Sequence, residues 1–209
     1  MTVRAHTVTR FFRKWGRLIQ RLIQRASRYF ILFMAISFLG WGVETLFFLL
    51  CYGKLCDRGF MTLPFCTIYG CSFLLLYFLI GTPNADGGGL LQRWNRERKC
   101  PFVLYFLLSA LIPTGLELIT GYFFHRAFGI RLWNYSAYRL HFNGYICLEY
   151  TLLWGILLPP CMKYFFIPLK ERVFALPMPY TWAVSSSLVL LATTDWIINF
   201  SHQKLMIYV

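Results

Sequence analysis

Acidic residues are scarce in this chain of 209 residues, which has eight Asp and Glu against 21 Lys and Arg. Charged residues of both signs make up only 14% of the sequence, whereas a soluble domain has about 25%. Apolar side chains take their place, since 58% of the residues are hydrophobic and 20% are aromatic. This composition excludes an ordinary soluble domain and indicates one compact integral membrane unit, without internal repeats or low-complexity tracts.

A nucleotide-binding loop is also missing. The Gly87-Gly88-Gly89 run has neither the lysine nor the spacing nor the preceding strand of a P-loop, so we interpret it as a flexible turn. The sequence therefore predicts no ATP hydrolysis of the usual kind by this chain, and it indicates no cofactor.

Five apolar runs are long enough, at about 20 residues each, to cross a bilayer as helices. They are residues 29–52, 65–82, 101–124, 144–167 and 180–200. The fourth contains Pro159-Pro160, where the missing backbone donors predict a kink or an end of the helix. We therefore predict an all-α fold, a polytopic membrane helix bundle with about five transmembrane helices.

Residues 1–28 have a different pattern from the runs that follow. Their apolar side chains repeat at helical spacing, with basic side chains mostly on the other face. The apolar positions are Phe11, Phe12, Trp15, Leu18, Ile19, Leu22, Ile23 and Ala26. We predict a basic amphipathic interfacial helix over 1–28 that binds anionic lipids, followed by a transmembrane domain over 29–209. The net charge of +13 follows from membrane topology, so we expect no nucleic-acid partner.

Lys and Arg are concentrated on one side of the predicted spans, in residues 1–28, 93–99 and 163–172. Far fewer lie on the other side. Because positive residues stay cytoplasmic, the pattern predicts a multi-pass protein of the cell membrane with its N-terminus inside and its C-terminus outside.

Cysteine chemistry stays open at this stage. Cys51, Cys56, Cys66 and Cys71 fall on the predicted outer side, in two pairs with four residues between the members. Zinc sites more often use tighter pairs, and no histidine completes a strong pattern, so we expect no metal. Buried thiols are favoured over a disulfide across the first outer loop.

Four carboxylates interrupt the apolar runs: Glu44, Glu117, Glu149 and Asp195. An ionisable group at bilayer depth costs roughly 2.5–3.5 kcal/mol on insertion scales, so it usually faces a protein-lined cavity and marks function. The predicted topology places all four in the outer half of the bilayer. Glu44 and Glu117 are the primary candidates for a binding site, and Glu149 and Asp195, nearer the surface, are secondary ones. Each could instead order the bundle by pairing with an arginine or a hydroxyl group.

Further polar and aromatic residues lie close to the outer ends of these helices. Arg58 could pair with carboxylate or phosphate groups, since arginine binds both in a fixed, bidentate geometry. The alternative is interfacial anchoring with an aromatic belt. The candidate substrate-binding residues are Glu44, Glu117, Arg58, Tyr69, Trp133, Tyr135, Asn143 and Trp41. No catalytic residue is assigned.

Several short phrases combine Gly, aromatic and polar residues. They are Gly40-Trp41-Gly42-Val43-Glu44, Arg58-Gly59-Phe60, Ile68-Tyr69-Gly70, Glu117-Leu118-Ile119-Thr120-Gly121, Trp133-Asn134-Tyr135-Ser136, Asn143-Gly144-Tyr145-Ile146-Cys147-Leu148 and Trp154-Gly155. In this order and spacing they resemble the bacterial integral membrane proteins described as "putative ABC-transporter type IV", or CmpB-like, over roughly residues 30–165. The resemblance implies a permease and supports the choice of site residues.

The chain departs from that family pattern at two points. The family has Gly-Pro before a Cys-Pro-Ile-Tyr-Gly phrase, whereas residues 63–70 here read Leu-Pro-Phe-Cys-Thr-Ile-Tyr-Gly. Asn134 stands where the family has aspartate in its tryptophan phrase. If that aspartate does chemistry, this chain has lost it; if it caps a turn, Asn134 serves nearly as well.

Three functions fit these observations. The first is a transporter permease-like subunit with an outward-facing polar site and a separate ATPase subunit. The second is a membrane-embedded enzyme acting on a lipid or envelope precursor, with Glu44 or Glu117 as general acid/base and Arg58 holding a phosphate. The third is a membrane assembly or scaffold subunit. The sequence leaves the substrate, enzymatic activity and homo-oligomerisation open.

Overall fold

The computed structural model describes residues 2–53, 61–83 and 101–207. These residues are almost entirely helical, apart from one two-stranded hairpin. The elements are α1 (Thr2–Tyr52), α2 (Thr67–Ile80), α3 (Pro101–Phe128), β1 (His141–Phe142), β2 (Ile146–Cys147), α4 (Leu148–Cys161), a π-helical segment (Met162–Phe166), α5 (Ile167–Ala175) and α6 (Met178–Ile207).

Four helical stretches in the described residues are long and apolar enough to cross a membrane. They are Arg13–Cys51, Phe102–Phe128, Leu148–Ala175 and Met178–Ser201. Large hydrophobic side chains cover their outer surfaces, which suits contact with lipid. The predicted all-α membrane bundle is confirmed.

Helix α2 is shorter than the predicted run over 65–82. It has 14 residues and spans about 21 Å at 1.5 Å per residue, less than the roughly 30 Å of the hydrocarbon core. Protein covers its ends: the Cys66 N–H donates to the carbonyl of Ser37 at 3.0 Å, and the Tyr105 hydroxyl donates to the carbonyl of Gly81 at 3.3 Å. Non-helical backbone at membrane depth requires such internal partners.

Helix α1 runs without a break from Thr2 to Tyr52. The predicted boundary between residues 28 and 29 therefore does not interrupt the helix. Its 51 residues correspond to about 77 Å, more than the 40–45 Å of a bilayer with its headgroups. The interfacial position of residues 1–28 stays a prediction.

The proline pair in the fourth run does not end its helix, which excludes one of the two outcomes predicted there, a kink or an end. The chain remains helical from Leu148 to Ala175 and passes through the π-helical segment directly after Pro159-Pro160. Ile167 N–H donates to the carbonyl of Met162, five residues earlier. The helix thus continues past the prolines with one wider turn instead of a break.

Helices α1, α2, α3 and α4 run antiparallel in turn, as the close contacts between successive helices show. Gly40 and Ser37 of α1 meet Tyr69 and Gly70 of α2, while Tyr29 of α1 packs near Tyr77. Small residues permit this close approach, which matters in lipid because helix association there depends on packing. The core common to α1, α2, α4 and the π-helical segment contains Leu32, Leu76, Ile80, Leu158, Met162 and Phe166.

Candidate functional site

Glu44 meets the first turn of α2. The Tyr69 hydroxyl donates to Glu44 Oε2 at 3.3 Å, and the Cys66 thiol lies 3.8 Å from the same oxygen. Tyr69 reaches this position because Gly40, one turn before Glu44, lies directly against its ring. The Gly40 phrase and the Tyr69 phrase, separate in the sequence, therefore form one contact.

Glu117 lies on the other side of Tyr69, on α3, and its side chain is only 7% exposed. The Trp154 indole Nε1 donates to Glu117 Oε1 at 3.1 Å. The ring of Trp154 also meets that of Tyr69 edge-on, with centroids 5.5 Å apart. Glu44 and Glu117 are thus linked through this aromatic pair, Glu44 by its bond to Tyr69 and Glu117 by its bond to Trp154. We call Glu44, Tyr69, Glu117 and Trp154 the carboxylate–aromatic cluster.

Small and polar residues bring α3 and α4 together below this cluster. Thr114 Oγ1 donates to Thr151 Oγ1 at 3.0 Å, and Gly155 packs against Ala110 and Phe106. Residues 151 and 155 share a face of α4, and residues 110 and 114 share a face of α3. Trp154 lies one turn after Thr151 on α4, so this interface brings its indole N–H to Glu117.

A narrow cavity opens beside the cluster, between α2, α3 and α4. Its polar side chains come from Tyr69, Ser72, Glu117 and Trp154, and apolar side chains close the rest. The apolar lining consists of Ile68, Phe73, Pro113 and Leu158. Pro113 removes a backbone donor inside α3, yet the helix continues through it.

The segment between α3 and α4 covers this end of the cluster. Its hairpin turns at Asn143 and Gly144, whose positive φ angles of 49° and 74° allow the tight turn in which the Tyr145 N–H donates to the Phe142 carbonyl at 3.0 Å. The Trp133 indole donates to the Tyr145 carbonyl at 2.8 Å and packs against Gly121 of α3. The hairpin is thereby fixed to the end of α3.

Tyr135 connects this covering segment to the carboxylates. Its backbone N–H donates to the Gly144 carbonyl at 2.9 Å, and its ring stacks on that of Tyr150 with centroids 4.9 Å apart. Burial, followed by the nearby Glu117 carboxylate, raises the pKa of the Tyr135 hydroxyl above its ordinary value. The hydroxyl therefore keeps its proton at neutral pH and can act as a hydrogen-bond donor at the mouth of the site.

Asp195 and Glu149 lie apart from the cluster. Asp195 is buried on α6 and accepts from the Leu63 N–H at 3.3 Å, in the segment that leads into α2. Glu149 is exposed in the first turn of α4, where a carboxylate stabilises the helix dipole. Both contacts suit a structural role better than ligand binding.

The structure thus brings together Glu44, Glu117, Tyr69 and Tyr135. Trp133 supports the hairpin, and Trp41 stacks on Phe38 of its own helix at 6.2 Å. Asn143 is exposed at the turn. Arg58 and Cys56 lie outside the described residues, so their predicted roles stay predictions, and Cys71 is a free thiol.

Asn134 forms the hydrogen bond expected if the residue at this position of the tryptophan phrase caps a turn. Its Oδ1 accepts from the Ser136 N–H at 3.0 Å, which is the turn-forming bond that Asn and Asp share. The asparagine therefore does the local structural work expected of an aspartate at this position.

Sequence reasoning missed Trp154, Ser72 and the apolar residues that line the cavity. A signal for Trp154 was present in the sequence. Thr151 and Gly155 form a small-residue face one helical turn long, and the matching face on α3 is Ala110 and Thr114. Aligning these two faces places Trp154 level with Glu117.

Comparison with known families decides the affiliation of this fold. A family profile described as "Putative ABC-transporter type IV" matches residues 31–200. The chain belongs to this family. The match extends beyond the resembling residues 30–165 and takes in most of α6, including Asp195. No curated protein and no solved structure matches the chain.

The family match covers every residue of the carboxylate–aromatic cluster and begins within α1, after the basic segment. The matched residues thus include both carboxylates of the cluster and most of the four membrane-spanning stretches. The N-terminal residues 1–30 lie outside the match.

Proposed function

We propose that this protein is a transporter permease-like subunit whose carboxylate–aromatic cluster forms an outward-facing polar site. The observation that carries the proposal is that two carboxylates of the apolar runs bind one aromatic pair, Glu44 through Tyr69 and Glu117 through Trp154. Glu117 is buried and Glu44 is half-buried, and placing two acids near each other in a low-dielectric environment is costly, because like charges oppose each other's ionisation. A site that admits a polar or cationic substrate offsets that cost.

The surroundings of Glu117 support binding over simple structural pairing. In the described part of the chain, its carboxylate interacts with Trp154, Tyr135 and Glu44, and with no arginine or lysine. A carboxylate has about four acceptor positions, so these partners leave capacity for a ligand. The adjoining cavity gives that ligand a place beside the carboxylate.

A separate ATPase subunit would supply the energy, because this sequence contains no P-loop lysine motif. The family description supports the same assignment. We further propose that the protein lies in a bacterial cell membrane with its N-terminus cytoplasmic, and that the basic residues of α1 contact anionic lipids or the ATPase side of the assembly.

The first test is capture of the partner. The tagged full chain is crosslinked in its native membranes, solubilised, captured and exposed to a photoreactive ATP analogue. We expect a labelled ATPase to co-purify. If the chain is captured alone and converts a membrane lipid by itself, the transport proposal is wrong and the enzyme alternative replaces it.

Charge removal at the site gives the second part of this test. Glu44→Gln and Glu117→Gln keep the size of the side chain, so we expect insertion and ATPase capture to persist while substrate-stimulated ATP hydrolysis falls at least tenfold. Membrane levels and unfolding temperature serve as controls. A loss of protein without a loss of activity per molecule would assign both carboxylates to folding alone.

A further inference from the structure

The cavity beside Glu117 has a size and lining that restrict its ligand. It has room for about one molecule of the size of water. An organic substrate would not fit, whereas K⁺ and NH₄⁺ are close in size to a water molecule. The ligand in this arrangement of the helices is therefore small.

The lining also restricts the charge of the ligand. Glu117 is more than nine-tenths buried and supplies one carboxylate to the cavity. Tyr69 and Trp154 also line the cavity, and the rings of such residues can attract a cation. Among the described residues that line the cavity there is no Lys, Arg or His, so none of them favours an anion.

Ser72 completes the polar lining. It is buried on α2, and its Oγ donates to the Ile68 carbonyl at 2.7 Å. Because the hydroxyl proton is engaged in that bond, the lone pairs of Oγ remain acceptors. The cavity thus combines an acceptor oxygen, a carboxylate and two aromatic rings, which all suit a cation.

We propose that the cavity between Tyr69, Ser72, Glu117 and Trp154 binds one desolvated monovalent cation of the size of K⁺ or NH₄⁺. The cation is either the cargo or a coupling ion of the transport function, so this inference rests on the proposed function for its role. It goes further by fixing the charge, the size and the liganding residues.

The test uses the purified full chain in detergent at constant ionic strength, with N-methyl-D-glucamine chloride as the background salt. KCl, NH₄Cl, NaCl and choline chloride are titrated separately against it. We expect K⁺ or NH₄⁺ to raise the unfolding temperature in a saturable manner, because a ligand that binds the folded state stabilises it. Choline, which is too large for the cavity, should have no effect.

Glu117→Gln should weaken the apparent affinity for the cation at least tenfold. Glu171→Gln, which removes the same charge from an exposed position on α5, is the matched control and should bind as the unaltered chain does. Should Glu117→Gln fail to fold, binding of radioactive rubidium to the unaltered chain, competed by K⁺ and by NH₄⁺, decides the question. Competition by only one of these cations identifies the one that binds.

Equal stabilisation by all four salts, absence of saturation, or equal affinity in Glu117→Gln and the unaltered chain would overturn the inference. These outcomes are separable from the capture test. If an ATPase co-purifies but the chain binds no cation, the transport proposal stands and only the proposed cation site is rejected. Cation binding by a chain that captures no ATPase supports the cation site and contradicts the proposed transport function.

Discussion

At the scale of single residues, Gly40 determines where Tyr69 can lie. A β-carbon at residue 40 would overlap the Tyr69 ring near its attachment point, whereas a β-carbon at Gly42 meets nothing within 4 Å. The site therefore depends on a residue without chemistry of its own. Tyr69 could not reach Glu44 in its present geometry if α2 were displaced.

We expect Gly40→Ala to destabilise the protein by about 1–3 kcal/mol, as overpacking does, and to disturb the contact between Tyr69 and Glu44. Gly42→Ala is the matched control on the same helix and should be neutral or stabilising by up to about 1 kcal/mol, because alanine favours helices more than glycine. Thermal unfolding in detergent measures both. Equal effects at the two positions would show that the close packing of α1 and α2 is unimportant.

The residues that could be predicted from the sequence are those whose chemistry is costly in a membrane. Glu44 and Glu117 stand out because ionisable groups are rare in apolar runs. Trp154 and Ser72 do not, since a tryptophan or serine in a membrane helix has many ordinary roles. Their part in the cavity depends on the rotation of α2 and α4 against α3, which a single sequence does not determine.

At the scale of elements, the segment before α2 is held to α6 by side chains. Asp195 accepts from the Leu63 N–H, and Asn199 exchanges hydrogen bonds with Thr62 at 3.0 and 3.2 Å. The Asp195 carboxylate thereby satisfies a backbone N–H that lies outside any helix, and the Asn199–Thr62 pair joins the two segments through their side chains. These contacts explain why a buried carboxylate at residue 195 is useful without any ligand.

We expect Asp195→Ala to cost about 1–3 kcal/mol, because it leaves the Leu63 N–H without its acceptor, and to speed hydrogen exchange at that amide. Asp195→Asn keeps an acceptor oxygen of the same size and should stay close to the unaltered chain in both respects. Thermal unfolding and exchange measured by mass spectrometry report the two effects. Fast exchange at Leu63 in the asparagine variant would instead assign a role to the negative charge itself.

The boundaries of elements were less predictable than their existence. The proline pair indicated a break because the regular α-helical pattern cannot accept it, but the π-helical segment offers another pattern that preserves the helix. Similarly, hydropathy extended α2 to 65–82, since Phe65 and Thr82 are compatible with a span. Contacts with α1 and α3 satisfy backbone groups at both ends of α2, so those ends need not be helical. A hydropathy scale does not take such contacts into account.

At the scale of the whole molecule, antiparallel neighbours place Glu44 and Glu117 towards one end of the bundle, and the charge pattern predicts that this end faces outward. Labelling of single-cysteine variants with a membrane-impermeant maleimide tests the orientation. We expect Cys51 and Cys56 to react from outside intact cells and Cys100 only after permeabilisation. The reverse pattern would place the site on the cytoplasmic side.

Helix α1 links the two sides of the molecule mechanically. Because Thr2–Tyr52 is a single helix, the residues that would meet a cytoplasmic partner and the residue that holds Tyr69 belong to one continuous rod. A movement of the basic segment would therefore be passed along the same helix towards Glu44 and its contact with Tyr69.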